Sequence, residues 1–349
     1  MKKNRKLDGR TTVIPDLRGK SYFGLFLLLG ILLLLLSVAA SISFGSASMS
    51  LKMAWTAIFN FNPELTEHQI IHALRIPRTA ADIIAGMCLA VAGAVMQGYT
   101  RNPLADSGLM GVNAGAALAM AVTLVFLPGQ LQTTTLLVSF IGAGLGAGLT
   151  YLAASLNRSG MTPQRLVLAG ISITMLFGAV GSFISLNYGI GRALAYWTSG
   201  SVAGATWVEI KLVIPWFLGG LALSLFIARS ITVLNLGEEI AKGFGQRIVL
   251  VKMIATLAVL LLAGVAVALV GPIGFVGLII PHIMRFFVGV DYRYIIPASA
   301  IYGGALMVVA DIAGRLINRP AETALGIIFA MIGVPFFLLI ASKERRAFK

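Results

Sequence analysis

Charge is scarce in this sequence. Of 349 residues, 11% are Asp, Glu, Lys or Arg, and the acids number 13. An average soluble domain is about 25% charged, so water is excluded as the main solvent of this chain. Cysteine is nearly absent too. The single Cys88 permits neither a disulfide framework nor a thiolate metal cluster, and in its apolar run it reads as a small buried residue. Three histidines are too few for a histidine-rich metal site. No G-x-x-x-x-G-K-[ST] loop occurs, so the chain has no cradle of its own for ATP phosphates and is not expected to be an enzyme. Long polar stretches are missing as well. The longest are the N-terminal tail, 46–74 and 229–248, none large enough to make a soluble domain.

What remains is apolar: 58% hydrophobic residues and a mean hydropathy of +0.91. A span needs roughly 17–25 apolar residues. Ten segments qualify, at 22–44, 78–98, 108–127, 134–156, 165–188, 208–228, 249–270, 274–289, 294–312 and 322–341. The expected fold class is therefore an all-α polytopic membrane protein of about ten transmembrane helices. The first segment follows a basic stretch, as in a signal peptide. It is long enough to span, however, and Ser41-Ile42-Ser43 is a poor cleavage site, so it is expected to be retained. The eighth is interrupted by Pro272, Pro281 and several glycines, a pattern tolerated only where neighbours or a cavity satisfy the backbone. The 39 glycines and 13 methionines predict close helix packing. Gly142, Gly144, Gly146 and Gly148 give overlapping G-x-x-x-G spacings that read as packing, not phosphate binding.

The formal charge of +14 does not indicate nucleic acid, because the basic residues punctuate the ends of apolar runs without interleaved aromatics. With both termini inside, 20 of the 27 Lys and Arg fall on the cytoplasmic side, which satisfies the positive-inside rule. The expected organisation is a cytoplasmic tail at 1–21, one ten-helix permease domain at 22–341 with a cytoplasmic loop at about 229–248, and a cytoplasmic tail at 342–349.

Some residues resist a purely structural reading. Arg75 and Arg78 flank Pro77 just outside the second span, where Pro suits a first helical turn. Neither the helix dipole nor the positive-inside bias asks for two cations there. A docking surface for carboxylates on an external partner does ask for them, since a guanidinium fork binds a carboxylate through two charge-assisted hydrogen bonds; headgroup anchoring is the alternative. Arg315 and Arg319 fall at a helix C-terminus on the same side, and Asp311 stands four residues before Arg315, able to pair on one face. Asp82, four after Arg78, reads as a local counter-ion, with a proton relay through Asp82 and Asp311 as the alternative. Leu236 to Gly245 reads as a short amphipathic helix ended by glycine, a candidate partner contact on the cytoplasmic side. His68 and His72, with Glu64 and Glu67 beside them, have a spacing compatible with metal but are expected to sit on an exposed polar helix of an outer loop. His282 is expected to make a structural hydrogen bond.

These segments occur in an order that closely resembles one family. The stations are Leu74-Arg75-Ile76-Pro77-Arg78, then Ala92 to Gln97 leading into Arg101-Asn102-Pro103-Leu104-Ala105, and Tyr196-Trp197-Thr198-Ser199-Gly200. Leu236-Gly237-Glu238 follows, then Gly271 to His282 with Arg285, and Ala310-Asp311 with Arg315 and Glu322. Together they resemble the permeases of iron-siderophore, haem and vitamin B12 ABC importers, the ten-helix type II class, from about Ile70 to the C-terminus. The resemblance implies a homo- or heterodimer of permeases in the lipid of a bacterial cell membrane. Two ATP-binding subunits beneath would hold ATP and Mg, and an extracytoplasmic substrate-binding protein would dock above; this chain itself would hold no cofactor or metal. It further implies that Arg75, Arg78 and Arg315 face acidic residues of the binding protein, and that the loop carrying Leu236, Gly237, Glu238, Glu239, Ala241, Gly243 and Gly245 seats in the ATPase. Asn102-Pro103-Leu104 and Thr162-Pro163-Gln164 would lie at the cytoplasmic gate. An iron(III)-siderophore complex is the expected cargo, with haem or vitamin B12 as alternatives; a proton-coupled secondary transporter is the rival class. Ser107 and the Glu322-Thr323 step stand where the family commonly has proline, which bears on local helix geometry.

Overall fold

A computed structural model describes residues 20–44, 50–129, 132–156, 163–318 and 321–347. The described residues form helices joined by short turns. In chain order they are α1 (Lys20–Ser43), α2 (Leu51–Phe59), α3 (Thr66–Ile70), a π turn (Ile71–Arg75), α4 (Ile76–Thr100), a 3-10 turn (Ser107–Met110), α5 (Val112–Phe126), α6 (Gln132–Ser155), α7 (Pro163–Tyr188), α8 (Gly191–Thr198), α9 (Trp207–Asn235), α10 (Glu238–Gly243), α11 (Ile248–Val270), α12 (Val276–Val288), α13 (Tyr292–Ile317) and α14 (Leu325–Ala347). Each of the ten expected spans falls on one helix. Seven are long and apolar enough to cross a bilayer, and α5, α12 and the apolar part of α14 are shorter. At about 1.5 Å per residue, the 13 residues of α12 reach roughly two thirds of a hydrocarbon core about 30 Å thick. The 271–275 segment before it is irregular backbone, with Gly271 and Ile273 buried, Pro272 and Phe275 half-buried and Gly274 exposed. The helix α3 falls where the polar helix of the outer loop was expected, whereas α2 and α8 were not foreseen; all three occupy stretches without a long apolar run.

α4 is the axis of the bundle. All but six of its 25 residues are buried, and α9, α11, α12 and α13 surround it. Small residues make this possible. A Cβ added to Gly93 would stand 1.9 Å from the Gly277 carbonyl oxygen of α12, and one added to Gly86 would stand 2.3 Å from the Gly303 oxygen of α13. Between apolar helices in lipid no hydrophobic effect drives contact, so such close backbone approach is the main attraction. The glycine run in α6 divides in two. A Cβ on Gly146 would meet the Gly111 oxygen at 2.2 Å and one on Gly142 would meet the Ala119 Cβ at 2.3 Å, whereas Gly144 and Gly148 have open space around them. Gly146→Leu is therefore expected to lower the thermal stability of the detergent-solubilised protein by about 1–3 kcal/mol, the usual range for overpacking. Gly144→Leu should leave it unchanged; equal effects at both positions would refute this division of faces.

Two prolines inside the bundle are compensated by side chains. Pro77 has no N–H with which to carry on the helical ladder. The chain passes it through the π turn, and the free carbonyl of His72 accepts from Trp207 Nε1 at 3.0 Å. In α12, Pro281 leaves the Gly277 carbonyl without its usual donor. Gln97 of α4 reaches across and donates its amide Nε2 to it at 2.9 Å. Arg285 Nη2 in turn donates to Gln97 Oε1, and its Nε donates to the Pro281 carbonyl at 3.3 Å. One buried amide thus ties the broken helix to the central one.

Candidate functional site

At the N-terminal end of α4 six charged residues converge. The Arg78 fork binds Asp311 of α13 through Nε at 3.1 Å and Nη2 at 2.7 Å. It also reaches Glu322, ahead of α14, through Nη1 at 3.1 Å and Nη2 at 2.9 Å. Arg315 pairs with Asp311 one turn away at 2.8 Å, as the i,i+4 spacing anticipates. Asp82, however, is not the counter-ion of Arg78. That fork is filled by Asp311 of α13 and by Glu322 of the turn before α14, and Asp82 is fully buried.

The expectation that Arg75 and Arg315 are presented outward is corrected by the structure. Both side chains are buried, and both bond the end of α1. A helix leaves its last carbonyls without intrahelical donors, and its C-terminus carries partial negative charge. Arg75 Nη1 donates to the carbonyls of Ile42 at 2.6 Å and Ser43 at 3.3 Å. Arg315 Nη1 donates to those of Ser41 and Phe44, both at 3.1 Å, and its Nη2 donates to Ser41 Oγ at 2.6 Å. The two guanidiniums cap α1 and fix it to α4 and α13. Arg78, with its side chain 13% accessible, is the member of the trio nearest solvent. Arg319 lies outside the described residues.

The outer histidines are also internal. His68 is buried and its Nδ1 accepts from the Asn62 N–H at 3.0 Å, while His72 Nε2 bonds the Ala57 carbonyl at 2.9 Å. Phe61 packs on the His72 ring at 4.5 Å. Both histidines hold α2 against α3, so His68 does not sit on an exposed face as expected. Among the described residues no group of three His, Cys, Asp or Glu is placed to hold a metal ion. His282 packs edge-on to Phe336.

At the opposite end of α4 lies the short α10, with a left-handed or otherwise positive φ at Gly237 (133°) before it and at Gly245 (74°) after it. Leu236, Ile240 and Phe244 are 61%, 48% and 75% exposed. Leu236 closes α9, Ile240 lies on α10 and Phe244 follows it, and together they form an uncovered apolar stripe along this loop. Ala241 points the other way and is fully buried, so it seats α10 on the bundle and does not belong to the exposed stripe. Ile240 and Phe244 were not singled out from the sequence, although large apolar residues in a polar loop carry that signal. Glu238 anchors α10: Lys252 of α11 donates to it at 2.7 Å and Arg101 stands 4.0 Å away. The Lys252 hydrogen bond holds the Glu238 carboxyl below its ordinary range. A carboxyl so shifted keeps its bridge above the ordinary value and loses it as pH falls through the lowered one. Arg101, left-handed at φ 52°, closes α4 and leads into Asn102-Pro103-Leu104, where Asn102 Oδ1 accepts from the Leu104 N–H at 3.0 Å. Glu238 and the Asn102 turn are thus neighbours through Arg101. Thr162 lies outside the described residues; Pro163 and Gln164 open α7, and the structure does not describe their side chains.

A cavity of about 330 Å³ opens at the Arg78 end among Trp197, Glu209, Leu136 and Gly271. It is at the small end of ligand pockets, and its one charged group, Glu209, caps α9 by accepting from Thr206 N–H at 2.9 Å.

Ten apolar helices among the described residues, around a tightly packed centre and with an exposed apolar stripe at one end, define a multi-pass membrane protein of the permease class. The chain belongs to the FecCD transport family, whose model matches residues 33–343. It is 48% identical over 320 residues to the iron(3+)-hydroxamate import system permease protein FhuB of Bacillus subtilis, covering 92% of this chain and 83% of that one. It is 39% identical over 309 residues to the iron-uptake system permease protein FeuB of the same organism, covering 88% and 92%. With the cobalamin import system permease protein BtuC of Halobacterium salinarum it shares 38% over 301 residues, covering 85% and 80%. Among solved structures it matches an inward-facing conformation of a metal-chelate type ABC transporter with a TM-score of 0.77 and 27% identity, over 91% of this chain and 99% of that one. The chain is accordingly a transport subunit and not itself an enzyme.

Proposed function

We propose that this chain is the membrane-spanning subunit of an ATP-driven importer of iron(III)-siderophore complexes in a bacterial cell membrane, with both termini cytoplasmic. ATP and Mg belong to two partner ATPases, and this chain carries neither. The observation that carries the reading is α10: an apolar stripe of Leu236, Ile240 and Phe244, uncovered in the chain and braced by Glu238, suits insertion into a cleft of a second protein. Movement of that helix is proposed to reach the Asn102-Pro103-Leu104 turn through Arg101, whose guanidinium stands 4.0 Å from Glu238. Thr162-Pro163-Gln164 would complete the gate from α7.

The packed interior supports a path between two copies and not through one. Only 11% of the apolar window of α7 is buried within the chain, which leaves this helix for lipid or for a second permease, identical or related. At the outer end an extracytoplasmic binding protein is proposed to dock around Arg78 and Glu322. Arg75 and Arg315 serve behind them by fixing α1. The substrate named for FhuB, and the 48% identity to it, favour a hydroxamate-type siderophore; cobalamin is the second reading, favoured by the resemblance to BtuC.

The test is uptake into vesicles holding the complete transporter. Ile240→Glu with Phe244→Glu is expected to remove the ATPase from the purified complex and to abolish ATP-dependent uptake while the permease still folds. Uptake that persists without ATP and follows a pH gradient would overturn the reading in favour of a secondary transporter.

A further inference from the structure

We infer that α2 is an interfacial anchor. It lies along the headgroup–acyl boundary of the bilayer at the Arg78 end of the bundle, with Trp55 and Phe59 set into lipid and Lys52 reaching toward headgroup phosphate. Water does not suit the outer face of this helix. α2 turns Ala54 and Ala57 inward, both fully buried, and a surface helix in water would carry polar residues on the opposite side. That side instead presents Lys52, Trp55 and Phe59, at i, i+3 and i+7. All three are exposed, Phe59 to 76%, and the two rings stack with centroids 6.2 Å apart. Aromatic rings beside a lysine are the side chains that settle at a membrane–water boundary, the rings in the acyl region and the ammonium among the headgroups. α2 carries Lys52 and no acid, which matches the negative charge of phospholipid phosphate.

Two spans fix the level of α2. Its buried side shares an apolar cluster with Val38 and Ile42, in the last two turns of α1, and with Ile71 of the π turn. The span of α1, Tyr22–Ser43, has 22 residues. At about 1.5 Å per residue it matches a hydrocarbon core about 30 Å thick, so its last turns stand at the edge of that core. Only 22% of the apolar window of α1 is buried within the chain. α2 therefore borders a helix that meets lipid along most of its length. The second span is α9. It opens at Trp207, 41% exposed, whose Nε1 donates to the His72 carbonyl at 3.0 Å, and the His72 ring bonds the Ala57 carbonyl of α2 at 2.9 Å. One histidine thus joins the end of α2 to a tryptophan at the mouth of another span.

Tryptophan fluorescence of the intact purified transporter in liposomes tests the placement. The intensity lost in Trp55→Phe is the signal of Trp55. That signal is expected to fall by at least half when the liposomes contain phosphatidylcholine brominated near the carbonyl end of its acyl chains. In Phe59→Asp, measured the same way, quenching by the brominated lipid should weaken about twofold as α2 lifts from the lipid. A Trp55 signal that brominated lipid leaves intact would overturn the proposal; aqueous iodide then tells whether the face belongs to water and a binding protein, or is covered by a second copy of the chain. Equal quenching in Phe59→Asp would overturn it as well. Should Phe59→Asp fail to fold, the wild-type signal decides alone. None of these outcomes bears on the ATP-driven reading, which α10 carries.

Discussion

Replacing Asp311 with alanine is expected to destabilise the protein more than any other single charge removal. Asp311 is 1% exposed and pairs with both Arg78 and Arg315. Taking it away leaves two guanidiniums facing each other at a largely dry helix junction, and breaking a buried pair from one side costs about 3–5 kcal/mol. Thermal unfolding in detergent, followed by loss of monodispersity, measures it. Glu322→Gln is the control. Glu322 is 29% accessible and holds only the outer side of the Arg78 fork, so a loss of about 1 kcal/mol or less is expected. Should Asp311→Ala melt with the wild type, the network does not hold α4 to α13.

A second large effect is expected at Gly93. In Gly93→Val the new Cβ would fall 1.9 Å from the Gly277 oxygen, with backbone and not a flexible side chain as the obstacle. The helices α4 and α12 must separate, and with them goes the Gln97 bond to Gly277. Overpacking ordinarily costs about 1–3 kcal/mol; here the upper end or beyond is expected, read as loss of folded protein in the membrane fraction. Gly219→Val on α9, where a Cβ meets nothing within 4 Å, should accumulate normally.

The ten spans were legible because an apolar run in lipid has a single solution, a helix, and its ends are marked by charge. The broken segment around Pro272 and Pro281 was legible for the same reason. The partners of the arginines were not. Spacing along one helix pairs Arg78 with Asp82, yet the residue that fills its fork is Asp311, 233 positions away. What the sequence did carry was the anomaly: two cations where neither dipole nor topology explains them. The explanation lay in the last carbonyls of α1, which have no side-chain signature. His68 escaped for a similar reason, since its partner is the backbone N–H of Asn62. The exposed stripe of α10 was readable in part. The loop stood out by its flanking glycines and acids, whereas the inward turn of Ala241 depends on how α9 and α11 meet beneath it.

Pro281 has a consequence for motion. Most helices that flex in the middle must first tear one of their own backbone rungs, but at Pro281 that rung was never built. Gln97 stands in for it from outside, as a removable peg. Withdrawing one amide frees the two halves of α12 to pivot, and pushing it back locks them. A transporter that alternates between two shapes would thus find in α12 a joint that bends without fraying.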